Sequence, residues 1–158
     1  MDGLDLAGHE RVLEIGGGTG AGAALVLDRL ETGFLLCIDR SAGAVAKAAA
    51  RHVGAVAAGR AAFEVSPLAD FEAVSPFDVA LAINVNVFWT GEAERECAAL
   101  AAALRPHGAV HLVFETPGAL DDALLERVAA NLGRHGFATT LLRSDSPALA
   151  TVIGRLAA

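Results

Sequence analysis

The chain has 158 residues, 54% of them hydrophobic, and a formal net charge of −7 from 19 acidic and 12 basic residues. That apolar content lies outside the disordered range and allows one domain with a sizeable core, while the scattered Lys and Arg argue against unaided binding of nucleic acid. No apolar run is long enough to span a bilayer, and Met1 to Glu10 lack the charged and apolar regions of a leader, so no membrane partner and a cytoplasmic location are expected.

Arg11 to Ile15 (RVLEI) reads as a first strand that ends in a glycine cluster, followed by a helix over Ala21 to Leu30. Phe34 to Ile38 (FLLCI) is a continuous apolar run, the pattern of a strand buried on both faces. Ser41 can cap a helix that runs to about His52. Ala61 to Val65 is a third strand, broken by Ser66-Pro67, and Phe77 to Ile83 a fourth. A helix over Gly91 to Leu104 ends at Arg105-Pro106, and Ala109 to Phe114 is the fifth strand. Ala119 to Leu132 is an amphipathic helix closed by Gly133. Phe137 to Arg143 and Leu149 to Arg155 are strands joined only by Ser144-Asp145-Ser146-Pro147. So short a link cannot make a parallel crossover, so they pair antiparallel or lie on opposite edges. The sum is a single domain over residues 1–158: a doubly wound, Rossmann-like α/β fold with a mostly parallel seven-stranded sheet between two helix layers.

The segment that carries chemistry is Val12-Leu13-Glu14-Ile15-Gly16-Gly17-Gly18-Thr19-Gly20. Glycines allow a left-handed bend and a close ligand approach, and the helix start beyond them offers unpaired amides. In doubly wound sheets such a turn lies at the carboxyl edge, where ligands bind. Gly16, Gly18 and Ala21 also fit a loose dinucleotide fingerprint, and a bare connecting turn is the plainer alternative. Asp39 follows the second strand at a spacing suited to an acid that accepts both ribose hydroxyls; its plainer role is a strand-end acid beside the cap at Ser41. Cys37 and Cys97 have no CxxC or His partner, so a zinc site is not supported and two buried reduced thiols are expected.

VLEIGGGTG, the acid in CIDRS, FDVALAINVNVFW and LRPHGAVHLVFE, in this order over nearly the whole chain, resemble the class I S-adenosylmethionine-dependent methyltransferases. The resemblance implies a sheet ending in an antiparallel hairpin, with strand 7 between strands 5 and 6. It implies S-adenosyl-L-methionine as cofactor. Glu14 and the backbone at Gly16, Gly17 and Gly18 would hold the methionine moiety, and Gly20 would allow close packing at the helix start. Asp39 would take the ribose and Arg40 flank the adenine, with Ser66, Pro67 and Leu68 on the adenine side. Asn84 and Val85 would line the methionine end, and Val87, Phe88 and Trp89 the acceptor pocket. Two positions depart from the family pattern: Pro67 replaces the acid that often meets the adenine amino group, with Asp70 a more distant candidate, and His107 stands where a glycine is usual.

Methyl transfer from a sulfonium is an in-line displacement in which the protein mainly aligns the reactants. A general base is needed only if the acceptor must lose a proton. Glu115 is the candidate, with capping of the helix after Pro117 as its other reading; Asp78, at the start of a strand, is poorly placed. His9 and His52 read as exposed, His111 as a core histidine and His135 as a helix-end cation, so no nucleophile triad is assigned. The plain reading of Trp89 is packing beneath the helix over Gly91 to Leu104. Only ten residues precede the first strand, which leaves no room for the helices that cover the acceptor site in that family. The site is then open, closed by a partner subunit as in a homodimer, or part of a trimmed core. The expected function is methyl transfer to a small molecule, or to a protein side chain; the alternatives are a non-catalytic cofactor-binding or interaction module and, less favoured by length, a nicotinamide-dependent oxidoreductase.

Overall fold

Apolar runs of five to seven residues, too short for core helices and rich in Val, Ile, Leu and Phe, are what a sheet covered on both faces requires. In the computed structural model, which describes residues 4–115, 121–143 and 149–158, they become strands. The chain order is β1 (Arg11–Ile15), α1 (Ala21–Leu27), β2 (Phe34–Asp39), α2 (Ala42–Arg51), α3 (Val53–Ala57), β3 (Ala61–Val65) and a 3-10 turn (Leu68–Asp70). Then follow β4 (Phe77–Ile83), α4 (Val87–Thr90), α5 (Glu94–Ala103), β5 (Leu104–Glu115), α6 (Asp122–Arg134), β6 (Phe137–Arg143) and β7 (Leu149–Leu156). The expected turn at residues 144–147, Pro117 and the first residues of the expected helix at 119 and 120 lie outside the described residues.

The seven strands form one sheet in the order β3-β2-β1-β4-β5-β7-β6. Strands β1 to β5 pair in parallel, and β7 is antiparallel to both β5 and β6. Of the two arrangements open to the last strands, antiparallel pairing is the one found, and it puts β7 inside the sheet. Strand order reverses between β1 and β4, so a crevice opens there at the carboxyl edge.

Alternation along the strands divides the interior. On β1, Leu13 and Ile15 join a core with Ile38, Phe88, Leu100, Phe114 and Leu125, while Val12 joins Ala23, Val26, Leu35 and Leu81. The first core lies under α5 and α6, the second under α1. Glu14 shares the α1 side with Val12 because side chains alternate with period two.

Several boundaries differ from the sequence reading. α1 stops at Leu27, and the helix before β5 begins at Glu94 because Ala93 takes a left-handed conformation (φ 49°). Two short helices, α3 and α4, were not foreseen; α3 buries none of its side chains, so it leaves no apolar stripe to read. Ser41 caps α2 as expected, its side chain accepting from the Ala44 amide. Strand β5 begins five residues early, since Leu104 pairs with Phe77 before a bulge and Ala109 resumes the ladder against Val79.

That bulge is built around His107, exposed and left-handed at φ 64°. A non-glycine residue there costs about 1–2 kcal/mol, and glycine avoids the cost while losing about 0.5–1 kcal/mol of unfolded-chain entropy. His107→Gly should therefore stabilise the chain by about 0.5–1 kcal/mol in urea unfolding. A loss of stability would mean that the imidazole itself holds the bulge.

Candidate functional site

The crevice at the strand-order reversal is a cleft of about 340 Å³. Its walls come from the ends of four strands and two helices: Ile15 and Gly16 at the end of β1, Ile38 to Arg40 at the end of β2, Ser66 to Ala69 after β3, Asn84 to Asn86 after β4, Val87 of α4 and Glu96 of α5.

The glycine turn is shaped from behind. The Glu14 side chain, 3% exposed, reaches under the turn and the first residues of α1. A Cβ at Gly17 would lie 2.1 Å from Cys37 Sγ and 3.1 Å from Glu14 Oε2, and one at Gly22 would lie 2.1 Å from Glu14 Oε1. Side chains are thereby excluded from the rear of the turn. Its front is different: nothing stands within 4 Å of a Cβ built on Gly18. Gly16, Gly18 and Gly20 all adopt positive φ, at 66°, 55° and 84°. α1 has no side-chain cap, and the Gly16, Gly18 and Gly20 amides are all engaged, by the Ile38 carbonyl, Asp39 and the Gly17 carbonyl.

One of those amides meets the second strand. Gly18 N donates to Asp39 Oδ2 at 2.9 Å, and Ser41 N to Oδ1 at 2.8 Å. The glycine turn and the candidate ribose acid thus stand together at one sheet edge. Close by, His52 stacks on Phe63 (5.6 Å between centroids) and its Nε2–H donates to the Gly20 carbonyl at 2.7 Å. His52 is accordingly half-buried, not exposed as its sequence setting suggested.

Of the residues singled out from sequence, Gly16, Asp39, Arg40, Ser66, Pro67, Leu68, Asn84, Val85 and Val87 line the cleft. Glu14, Gly17, Gly18 and Gly20 are not on its wall: Glu14 is buried behind the turn, and the glycines form the turn itself. Phe88, expected at the acceptor pocket, is 2% exposed within the core. Trp89, also expected there, stacks on Phe114 at 5.3 Å, and its carbonyl accepts from Arg127 at 2.6 Å. The four-residue α4 causes this: it turns Val87 toward the cleft and the two aromatic residues toward α6 and β5.

Asn84 takes a left-handed conformation (φ 53°), and its Oδ1 accepts from the Glu115 amide at 2.8 Å, clasping the ends of β4 and β5. Glu115 is exposed and does not line the cleft. Asp121, not Glu115, caps α6, accepting from Ala123 N at 3.0 Å. Asp78 sits at the opposite edge, paired with Arg105 at 2.6 Å and accepting from the Arg11 amide. Asp70 is bound to Arg95 at 2.5 Å. His111 is buried, and burial followed by the charge of Arg155 lowers its pKa; His135 pairs with Glu94. Both cysteines are free and buried, and burial pushes the Cys97 thiol up to about 11.

Sequence reasoning missed Ile15, Ile38, Ala69, Asn86 and Glu96. The two isoleucines and Asn86 adjoin residues already chosen, so strand-end adjacency could have found them. Glu96 reaches the cleft from a helix, and no local signal marks it.

Fold and site together define a doubly wound domain with a crevice at its topological switch point. A family model described as "Methyltransferase domain" matches residues 13–110, and the chain belongs to that family. No curated protein matches the sequence. Solved structures share the fold: the mitomycin 7-O-methyltransferase MmcR is 19% identical over 98% of this chain and 51% of its own, with a TM-score of 0.76. An S-adenosylmethionine-dependent methyltransferase from Mesorhizobium loti is 18% identical over 96% and 93%, with a TM-score of 0.76. The [4+2]-cyclase SpnF is 18% identical over 96% and 77%, with a TM-score of 0.78. The chain spans less than two thirds of several such structures, 51% of MmcR and 64% of another.

The Glu14 carboxyl is raised from 4.5 to about 7, by burial first, with a hydrogen bond from the Cys37 thiol opposing the shift. Burial favours the neutral acid, so the folded chain keeps a proton that the unfolded chain has already released. This term is absent below about pH 4.5, and stability falls as the pH rises toward 7. The fall should be on the order of 3 kcal/mol between pH 5 and 8, and Glu14→Gln should remove it. Urea unfolding at the two pH values checks this; equal slopes in both proteins would assign the dependence to another group.

Proposed function

We propose that this chain binds S-adenosylmethionine in the cleft and transfers its methyl group to a small-molecule acceptor. The observation that carries the reading is the 2.9 Å contact between the Gly18 amide and Asp39 within a cleft at the switch point. A carboxylate held by two backbone amides keeps lone pairs for the adjacent hydroxyls of a ribose. The open face of Gly18 leaves room beside the turn for the amino-acid end of such a ligand. Glu14 Oε2, buried behind the same turn, has no partner among the described residues, and an ammonium group nearby would favour its ionised form over the neutral acid that burial favours. This donor set fits a nucleoside joined to an amino acid. Membership of the methyltransferase-domain family supports the same choice.

The bound cofactor supplies a methyl already activated on a sulfonium, so the chain has no bond to polarise. Its residues do the aligning. Asp39 and the glycine turn fix the two ends of the ligand, and Val85, whose Cγ2 would lie 2.8 Å from a Cβ on Gly16, closes the space between them. Val87 and Asn86 face the cleft beside the reacting end. Glu115 is exposed and stands off the cleft wall, so no general base is assigned among the described residues. A small-molecule acceptor accords with the likeness to MmcR, named for methylating mitomycin. One observation favours a second reading, in which the chain holds the cofactor without methyl transfer: SpnF, which shares this fold, is named a [4+2]-cyclase.

Calorimetric titration with S-adenosylhomocysteine and, separately, NADH tests the site. Heat from the first alone is expected; heat from NADH alone would reject the reading. Asp39→Ala should weaken S-adenosylhomocysteine binding by about 1–3 kcal/mol, and unchanged affinity would remove Asp39 from the ribose site. Transfer of labelled methyl to a broad acceptor panel separates the two readings, since binding with no transfer favours the second.

A further inference from the structure

The cleft holds a second carboxylate whose role the reading above leaves open. Among the described lining residues, Asp39 and Glu96 are the only acids. Asp39 is engaged by two backbone amides. Glu96 is half-buried, and has no hydrogen-bond or ion-pair partner among the described residues, although its neighbours do: Glu94 binds His135, and Arg95 binds Asp70.

The position of Glu96 is fixed by packing. Arg95 to Asp70, at 2.5 Å, ties α5 to the 3-10 turn Leu68–Asp70, and Leu68, Cys97 and Leu100 share one core. Glu96 therefore faces the cleft on the wall it shares with the turn after β3. The rest of that wall is poor in side-chain acceptors. Pro67, Leu68 and Ala69 have none, and the Ser66 hydroxyl donates to the Pro67 carbonyl at 3.2 Å.

Strand order sets which part of a ligand meets this wall. The glycine turn follows β1, Asp39 follows β2, and residues 66–69 follow β3 at the sheet edge. A nucleoside with its amino-acid end on the turn and its ribose on Asp39 has its base beyond β2, toward that edge. We propose that Glu96 reads the base: its carboxylate accepts a hydrogen bond from an exocyclic amino group and so selects an aminopurine over an oxopurine. The inference rests on the nucleoside reading of the site. A carboxylate only accepts hydrogen bonds, so an oxopurine carbonyl in the same place faces it acceptor to acceptor, and both groups lose water without gaining a bond. Sites built to pair with a donor discriminate strongly against analogues that lack it.

The test uses two ligands on the full chain, S-adenosylhomocysteine and its deaminated counterpart S-inosylhomocysteine, each titrated into wild type, Glu96→Gln and Glu96→Ala. Wild type should prefer the adenosyl compound by about tenfold or more, the ratio expected for one charge-assisted hydrogen bond. The preference should shrink toward unity in both variants. Glu96→Gln keeps the side-chain shape and can donate to a carbonyl, so it should gain affinity for the inosyl compound, an effect that simple loss of structure cannot produce. A preference that survives both substitutions overturns the role of Glu96 while leaving the cofactor reading intact. Binding of neither ligand by wild type overturns the cofactor reading, and this inference with it.

Discussion

The space behind the glycine turn is full, and the geometry of the cleft follows from that. Cys37 and Glu14 occupy the volume where side chains on residues 17 and 22 would stand. The backbone can therefore lie directly on the sheet edge, close enough for Gly18 to reach Asp39 on the neighbouring strand. A Cβ 2.1 Å from a sulfur atom cannot be absorbed by a small shift. Any residue other than glycine at position 17 would lift the turn, separating its amides from the carboxylate. A buried acid with a raised pKa is the energetic cost of that arrangement.

The opposite wall uses another device. Asn84 leaves β4 in a left-handed conformation and accepts from the Glu115 backbone across to β5. Its side chain is spent on holding two strand ends together, which positions Val85 against Gly16. The chain then coils at once into α4, burying Phe88 and stacking Trp89 on Phe114. The aromatic residues after β4 are thus the foundation of this wall, and its surface is made by Val85, Asn86 and Val87.

Much of this was legible in the sequence. The runs at 11–15, 61–65, 77–83 and 137–143 are strands with those bounds; at 11–15 and 77–83 burial on two faces writes itself into continuous hydrophobic segments, while 61–65 and 137–143 are the partly exposed edge strands, bounded by turn residues. The turn, Asp39 and the Ser41 cap were readable because each depends on local chemistry: φ freedom, strand-end placement, and a hydroxyl near free amides. Where the reading departed from the fold, tertiary context decided. Trp89 is compatible with a pocket wall or with packing, and its stacking on Phe114 of the neighbouring strand β5 is a contact that nothing local in the sequence marks. His52 lies in an alanine-rich helix with nothing local to mark its contact with Gly20, 32 residues away. Glu96 looks like any solvated helix acid until Cys97 and Leu100, packed in one core with Leu68, set the rotation of α5.

Strand β7 bears on how the sheet assembles. It lies between β5 and β6, and β6 pairs with no other strand. Residues 137–143 therefore cannot join the sheet when they are synthesised; they must wait until residues 149–156 exist to bridge them to β5. Until then Leu112 and Phe114 have an open flank and an unsatisfied row of backbone donors and acceptors. The cleft takes its walls from the ends of β1 to β4 and from α4 and α5, and uses neither β6 nor β7. The half of the domain that carries the site can therefore organise on the ribosome before the other half has closed its edge.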